Sequence, residues 1–145
     1  MIYYARGSKT DVITPEEVRD ALFSVFKAMG PKRRVMAIPP DYTRLNSFAG
    51  PITDMVYEYY GDRLTDVMPA LGTHTPMTDA QIADMFPGTP RRLFRDHDWR
   101  NDVRTIGVVP SSYVREVSEG KLDYEMNAQV NKLLLDESFD LILSI

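Results

Sequence analysis

The chain has no cysteine among its 145 residues. That excludes a disulfide framework, a thiolate nucleophile and a cysteine-based zinc site, and a reducing cytoplasm is the compartment it fits. Histidine is nearly as scarce. His74 and His97 are the only two, and no His-x-His or His-x-x-His spacing joins them, so the sequence offers no closed metal site. Positive charge is not in excess either: the net charge is −4, which gives no electrostatic reason to expect nucleic acid or an anionic membrane as partner. No apolar run approaches membrane-spanning length, residues 1–6 do not read as a signal peptide, and there is no repeat or low-complexity linker. What is present is ordinary for a globular chain, with 43% hydrophobic and 26% charged residues. The length suits a single domain over residues 1–145 with a real core.

The best-marked element begins at Thr14. Pro15 suits the first helical position, Glu17 completes a capping box, and Val18, Leu22, Val25, Phe26 and Met29 recur at helical spacing before Gly30-Pro31 ends the run. Residues 35–38 are a short continuous apolar run, the pattern of a central strand. A rigid polar loop from Pro39 to Arg44 follows, then a helix over 48–60 closed by Gly61. Residues 67–71 read as a second buried strand, although Pro69 cannot donate to a ladder and marks it as an edge strand, bulged or shorter. After the Gly72-Thr73-His74 corner, Thr78 and Gln81 have capping-box spacing, and the next helix stops at Pro87-Gly88. Residues 2–13 suggest a strand or hairpin with a turn at Gly7-Ser8-Lys9. Further strands are expected at 103–109 and 139–145, with an antiparallel hairpin of 113–117 and 122–130 and a single helical turn near 132–137.

Asp41, Arg44 and His74 therefore occupy equivalent places, just beyond a strand and just before a helix, where open α/β sheets bind ligands. His74 suits a general acid/base, because imidazole titrates near neutral pH; the plainer reading is a hydrogen-bonded histidine helping to cap the next helix. Arg44 has the geometry to grip a carboxylate or phosphate with two parallel hydrogen bonds, and Asp41 to orient a histidine or that arginine. The plainer reading of the pair is an ion pair stiffening the loop. His97, inside Arg95-Asp96-His97-Asp98-Trp99-Arg100, reads as solvated surface.

Asp41-Tyr42-Thr43-Arg44, followed after a helix by Ala70-Leu71-Gly72-Thr73-His74-Thr75-Pro76-Met77-Thr78, resembles the N-terminal domain of the lactate racemase family, the nickel-pincer-nucleotide 2-hydroxyacid racemases and epimerases. The resemblance extends over residues 10–145. It implies an isomerase in which His74 is the acid/base on the substrate hydroxyl. Arg44 and Asp41 lie beside the substrate, Arg44 on its carboxylate, and Thr43, Gly72 and Thr73 contact the cofactor. A hydride leaves the α-carbon for the nickel-pincer nucleotide, a planar keto acid forms, and the hydride returns to either face. Tyr42 and Leu45 stand where the family motif often has His and Pro, and Thr75 where it often has Arg.

The resemblance also implies that a second catalytic histidine, a cofactor-tethering lysine and a nickel-binding histidine follow Ile145. The chain stops inside an apolar strand, so the expectation is an N-terminal fragment of a two-domain protein whose partner is the remainder of its own chain. Such a fragment is expected to be inactive alone. The competing reading is a non-catalytic module for a nucleotide or phosphate ligand, held by the strand-end loops and the helix amides after Thr78. A third is a scaffold with no ligand. The fold expected is α/β: a Rossmann-like three-layer domain with a mostly parallel central sheet and an antiparallel hairpin.

Overall fold

A computed structural model describes all 145 residues, Met1–Ile145. Helix α1 (Pro15–Ala28) starts where its cap dictates. The Thr14 hydroxyl accepts from the Glu17 amide, and the Glu17 carboxylate accepts from the Thr14 amide. Its apolar face meets helix α2 (Ala49–Tyr60) through four rings, with Phe23, Phe26, Tyr59 and Tyr60 at centroid separations of 4.9–5.2 Å. Tilted and edge-on ring pairs of this kind each add about 0.5–1.5 kcal/mol beyond the area they bury.

Between the two helices in sequence comes strand β1 (Val35–Ile38), whose first three residues have no solvent exposure. Strands β2 (Leu64–Val67) and β5 (Leu141–Ser144) flank it, both parallel, giving the order β2-β1-β5. Because β1 is buried on both faces it is uniformly apolar rather than alternating. Where β1 and β5 begin, the Asp140 carboxylate accepts from the Arg33 and Arg34 amides at 2.6 and 3.1 Å. Those two bonds, the Arg33 one foremost, hold its pKa below the ordinary carboxylate value. Helix α3 (Asp79–Met85) has the Thr78–Gln81 capping box that its sequence spells and buries Ile82 and Met85. It meets the start of α2 at Gly50, where a Cβ would lie 2.0 Å from the Met85 carbonyl oxygen. These elements belong to a unit comprising 1–96 and 137–145.

Residues 97–136 form a second compact unit. Strand β3 (Val103–Val109) pairs antiparallel with strand β4 (Met126–Asn131), with helix α4 (Ser111–Val117) between them in sequence. A short 3₁₀ turn, Lys132–Leu135, follows β4. Parallel sheet, antiparallel pair and flanking helices make this a Rossmann-like α/β fold, as the sequence indicates.

Three elements differ from the sequence reading. Residues 2–13 form no strand: they are exposed and find no ladder partner, and without one an extended segment gains nothing from β geometry. Residues 113–117 are helical. Pro110 leads into the helix, and Tyr113, Val114 and Val117 have helical spacing, with Val114 buried. The antiparallel partner of β4 is therefore β3, and Leu122 and Tyr124 alternate with nothing to pair against. Strand β2 ends at Val67 rather than running to Leu71. Beyond it, Met68 and Ala70 still donate to Ala37 and Pro39 (2.9 and 2.8 Å), while Pro69 between them has no N–H to give.

Candidate active site

Parallel pairing brings the carboxyl ends of β1 and β2 to one edge, so the segments leaving them run side by side, linked by a bridge between Pro40 and Ala70. Each then turns sharply. Asp41 caps a 3₁₀ helix, Tyr42–Ser47. On the other segment the His74 amide donates to the Leu71 carbonyl (2.9 Å), closing a turn whose first central residue, Gly72, has φ +58°. That left-handed conformation favours glycine there, because a side chain would strain the turn.

The two turns meet at Asp41 and His74. Asp41 Oδ2 stands 2.5 Å from His74 Nδ1. The carboxylate is almost wholly buried, while the imidazole side chain is 60% exposed. The other oxygen, Oδ1, accepts from the Thr43 amide at 3.0 Å and the Thr43 hydroxyl at 2.5 Å. Burial pushes the Asp41 pKa up. The hydrogen bonds from His74 and then Thr43 together outweigh it, leaving the carboxyl below its ordinary value. An ionised carboxylate only accepts, so Nδ1 carries the hydrogen of this contact. In the neutral imidazole Nε2 is then the free base, and it belongs to the exposed side chain. Held this way, the ring accepts a proton outward while the carboxylate stabilises the imidazolium that results.

The surrounding recess has a volume of about 310 Å³; Tyr42, Thr75, Met77 and Gln81 line it together with Asp41, Thr43 and His74. Tyr42 donates its hydroxyl to Asp84 on α3 at 2.6 Å, a second link between the loop after β1 and the helix after β2. The sequence marks neither Asp84 nor Gln81 as a site residue: the first has no local signature, and capping-box spacing accounts for the second.

Asp41, Thr43 and His74 come together; Arg44, on the same 3₁₀ helix as Thr43, bonds to none of them through its side chain. It is exposed, makes no hydrogen bond or ion pair through its side chain, and sits at φ −111°, ψ 27°, where the 3₁₀ helix is interrupted. Gly72 and Thr73 are exposed at the turn, and a Cβ on Gly72 meets nothing within 4 Å, so the space over them is open to a bound group. No three His, Asp or Glu side chains cluster closely enough to hold a metal ion. His97 lies in the other unit, half-buried rather than solvated, with Nδ1 3.0 Å from the amide nitrogen of the buried Asn131. No helix is long and apolar enough to cross a membrane.

No family model matches the chain, and no curated protein matches it. Among solved structures it is similar to the crystal structure of a protein from Thermotoga maritima, a structural-genomics target, with 27% identity and a TM-score of 0.79 over 90% of this chain. The matched region is 33% of the Thermotoga chain, so this chain spans about a third of that protein's length. The likeness carries the α/β arrangement and assigns no activity.

Proposed function

We propose that the chain supplies the acid/base half of a 2-hydroxyacid racemase or epimerase, with His74 as the proton-transfer group. The observation that carries this reading is the Asp41–His74 contact at the shared end of two parallel strands, with the imidazole exposed. In this reading Arg44, whose guanidinium has no partner within the chain, takes the substrate carboxylate. His74 Nε2 takes the proton of the 2-hydroxyl as the C2–H bond breaks, and returns it when the bond is remade from the other face. Asp41 keeps Nδ1 protonated throughout and offsets the charge on the ring.

A C–H next to a carboxylate is a poor acid, so the carbon-centred step calls for a hydride acceptor rather than a base. Reversible acceptance of that hydride is the chemistry a nickel-pincer nucleotide supplies when bound. The open surface over Gly72 and Thr73 suits a nucleotide edge. With Thr43's hydroxyl turned onto Asp41, that surface rather than the Thr43 side chain is the better-supported contact. Nickel ligands, the tethering lysine and a second histidine would come from outside residues 1–145, and the remainder of the natural chain is their expected source. The alternative, a phosphate-binding module without chemistry, has less support. Its anion site would be the start of α3, and the capping box already uses the Thr78 and Gln81 amides.

The test is chiral chromatography of a panel of 2-hydroxy acids incubated with the natural full-length protein matured with cofactor and nickel. Wild type is expected to interconvert stereoisomers of at least one, and His74→Ala to lose on the order of 100-fold or more in rate. Undiminished turnover in His74→Ala, or none on the whole panel in wild type, overturns the reading. Phosphate-ligand binding by calorimetry, abolished in Arg44→Ala and independent of nickel, is the result the alternative requires.

A further inference from the structure

We infer that Thr43 is a positioning residue: its hydroxyl holds the Asp41 carboxylate in the one rotation that presents Oδ2 to His74. The inference rests on the proposed role of His74 only for its catalytic consequence. The geometry stands without that role.

A carboxylate turns freely about its last side-chain torsion, which is broad and two-fold. One backbone amide on one oxygen is the common capping arrangement, and Asp41 has it through the Thr43 amide. Here the same oxygen takes a second donor, the Thr43 hydroxyl, at 2.5 Å. A hydroxyl donating to an ionised carboxylate makes a charge-assisted hydrogen bond, stronger than a neutral one. Thr43 is exposed, so water was available to its hydroxyl, yet the hydroxyl is turned onto Asp41. Threonine also brings a stiff χ1, with two heavy groups on Cβ restricting its rotamers. With Oδ1 fixed at two points, Oδ2 has one place to be, and His74 Nδ1 is there. The resemblance drawn from the sequence puts Thr43 against the cofactor; these distances give its hydroxyl a different task.

The experiment reads the tautomer directly. Long-range ¹⁵N NMR of the imidazoles, at a pH where both histidines are neutral, distinguishes Nδ1–H from Nε2–H. In wild type His74 is expected to be mainly Nδ1–H. In Thr43→Val, which keeps the shape and removes the hydroxyl, Nδ1–H should fall to the minority, toward the Nε2–H form that prevails for histidine in water. Thr43→Ser should restore most of it. His97 serves as an internal reference. Its Nδ1 faces an amide nitrogen whose partner oxygen accepts from the Leu133 amide, so His97 stays Nε2–H in every variant. If Thr43→Val fails to fold by far-ultraviolet circular dichroism, Thr43→Ala is read in the same way.

In the full-length protein, kcat for Thr43→Val should drop about tenfold, the effect of losing an orienting partner, with KM unchanged. An unaltered His74 tautomer in the folded variant overturns the inference whatever the activity. A shifted tautomer in a protein with no isomerase activity leaves the positioning role in place and refutes the proposed function instead.

Discussion

Replacing Asp41 by asparagine changes one atom type at the centre of the candidate site and has a signature in pH. The carboxamide keeps an oxygen to accept from the Thr43 amide and hydroxyl, so the cap survives. Its amide nitrogen then faces His74 Nδ1, and two donors oppose each other until the imidazole changes tautomer. What is lost is the charge's share of all three hydrogen bonds, together with the cost of the tautomer change. Bonds to charged groups contribute about 1.5–3 kcal/mol each, so a loss of about 2 kcal/mol at neutral pH is expected.

The sign of the pH dependence follows from the lowered pKa of Asp41. A carboxyl held below its unfolded value stabilises the fold above that value, near 3.9, and the contribution disappears as pH falls through the folded-state pKa. Urea unfolding at several pH values between 7 and 3 measures it. The gap between wild type and Asp41→Asn should be full at pH 5–7 and narrow below about pH 4. A gap that is equally wide at pH 3 and pH 7, or absent at pH 7, refutes the claim that an ionised Asp41 is held by His74 and Thr43.

Two further substitutions probe the scaffold. Gly50→Ala puts a Cβ 2.0 Å from the Met85 carbonyl oxygen, a backbone atom that yields only if α3 shifts. Overpacking of this kind costs about 1–3 kcal/mol, more than the gain in helix propensity returns, and the urea midpoint should fall while Gly7→Ala, with open space around it, leaves it unchanged. Tyr60→Phe removes a buried hydroxyl that has no hydrogen-bond partner, so it should raise stability by about 1 kcal/mol. Burial, then Tyr59, raises the Tyr60 pKa against a lowering by Arg63. Its neutral form therefore favours the fold below the unfolded tyrosine value, and this is lost as pH rises through the folded one. Thermal unfolding at pH 7–11 should show a shallower alkaline decline in the variant.

The elements legible in the sequence are those whose signals are local. Thr14, Pro15 and Glu17 fix the start of α1 without tertiary help, as Thr78 and Gln81 do for α3. The apolar run at 35–38 suffices for a buried parallel strand. The errors fall where a partner decides. Residues 2–13 and 113–124 have strand-like composition, but β geometry holds only where a second strand offers its amides and carbonyls, and β3 had taken that place. At the site, topology alone put Asp41 and His74 at the ends of strands; their adjacency then needed only those strands to be neighbours and parallel. Thr43's rotation onto Asp41 and the Tyr42–Asp84 link were not legible. Both depend on side-chain direction, and Asp84 lies 42 residues from its partner.

The sheet order has a consequence for biosynthesis. β1 takes β2 as one neighbour within some thirty residues, but its other neighbour is β5, more than a hundred residues later. During translation one side of the innermost strand stays open, its amides and carbonyls unanswered, until residues 141–144 have left the ribosome. Pairings this distant in sequence form slowly, and a nascent chain with a bare apolar edge invites aggregation or a chaperone's hold. Four residues thus close the second side of β1 and end the interval in which its edge is bare.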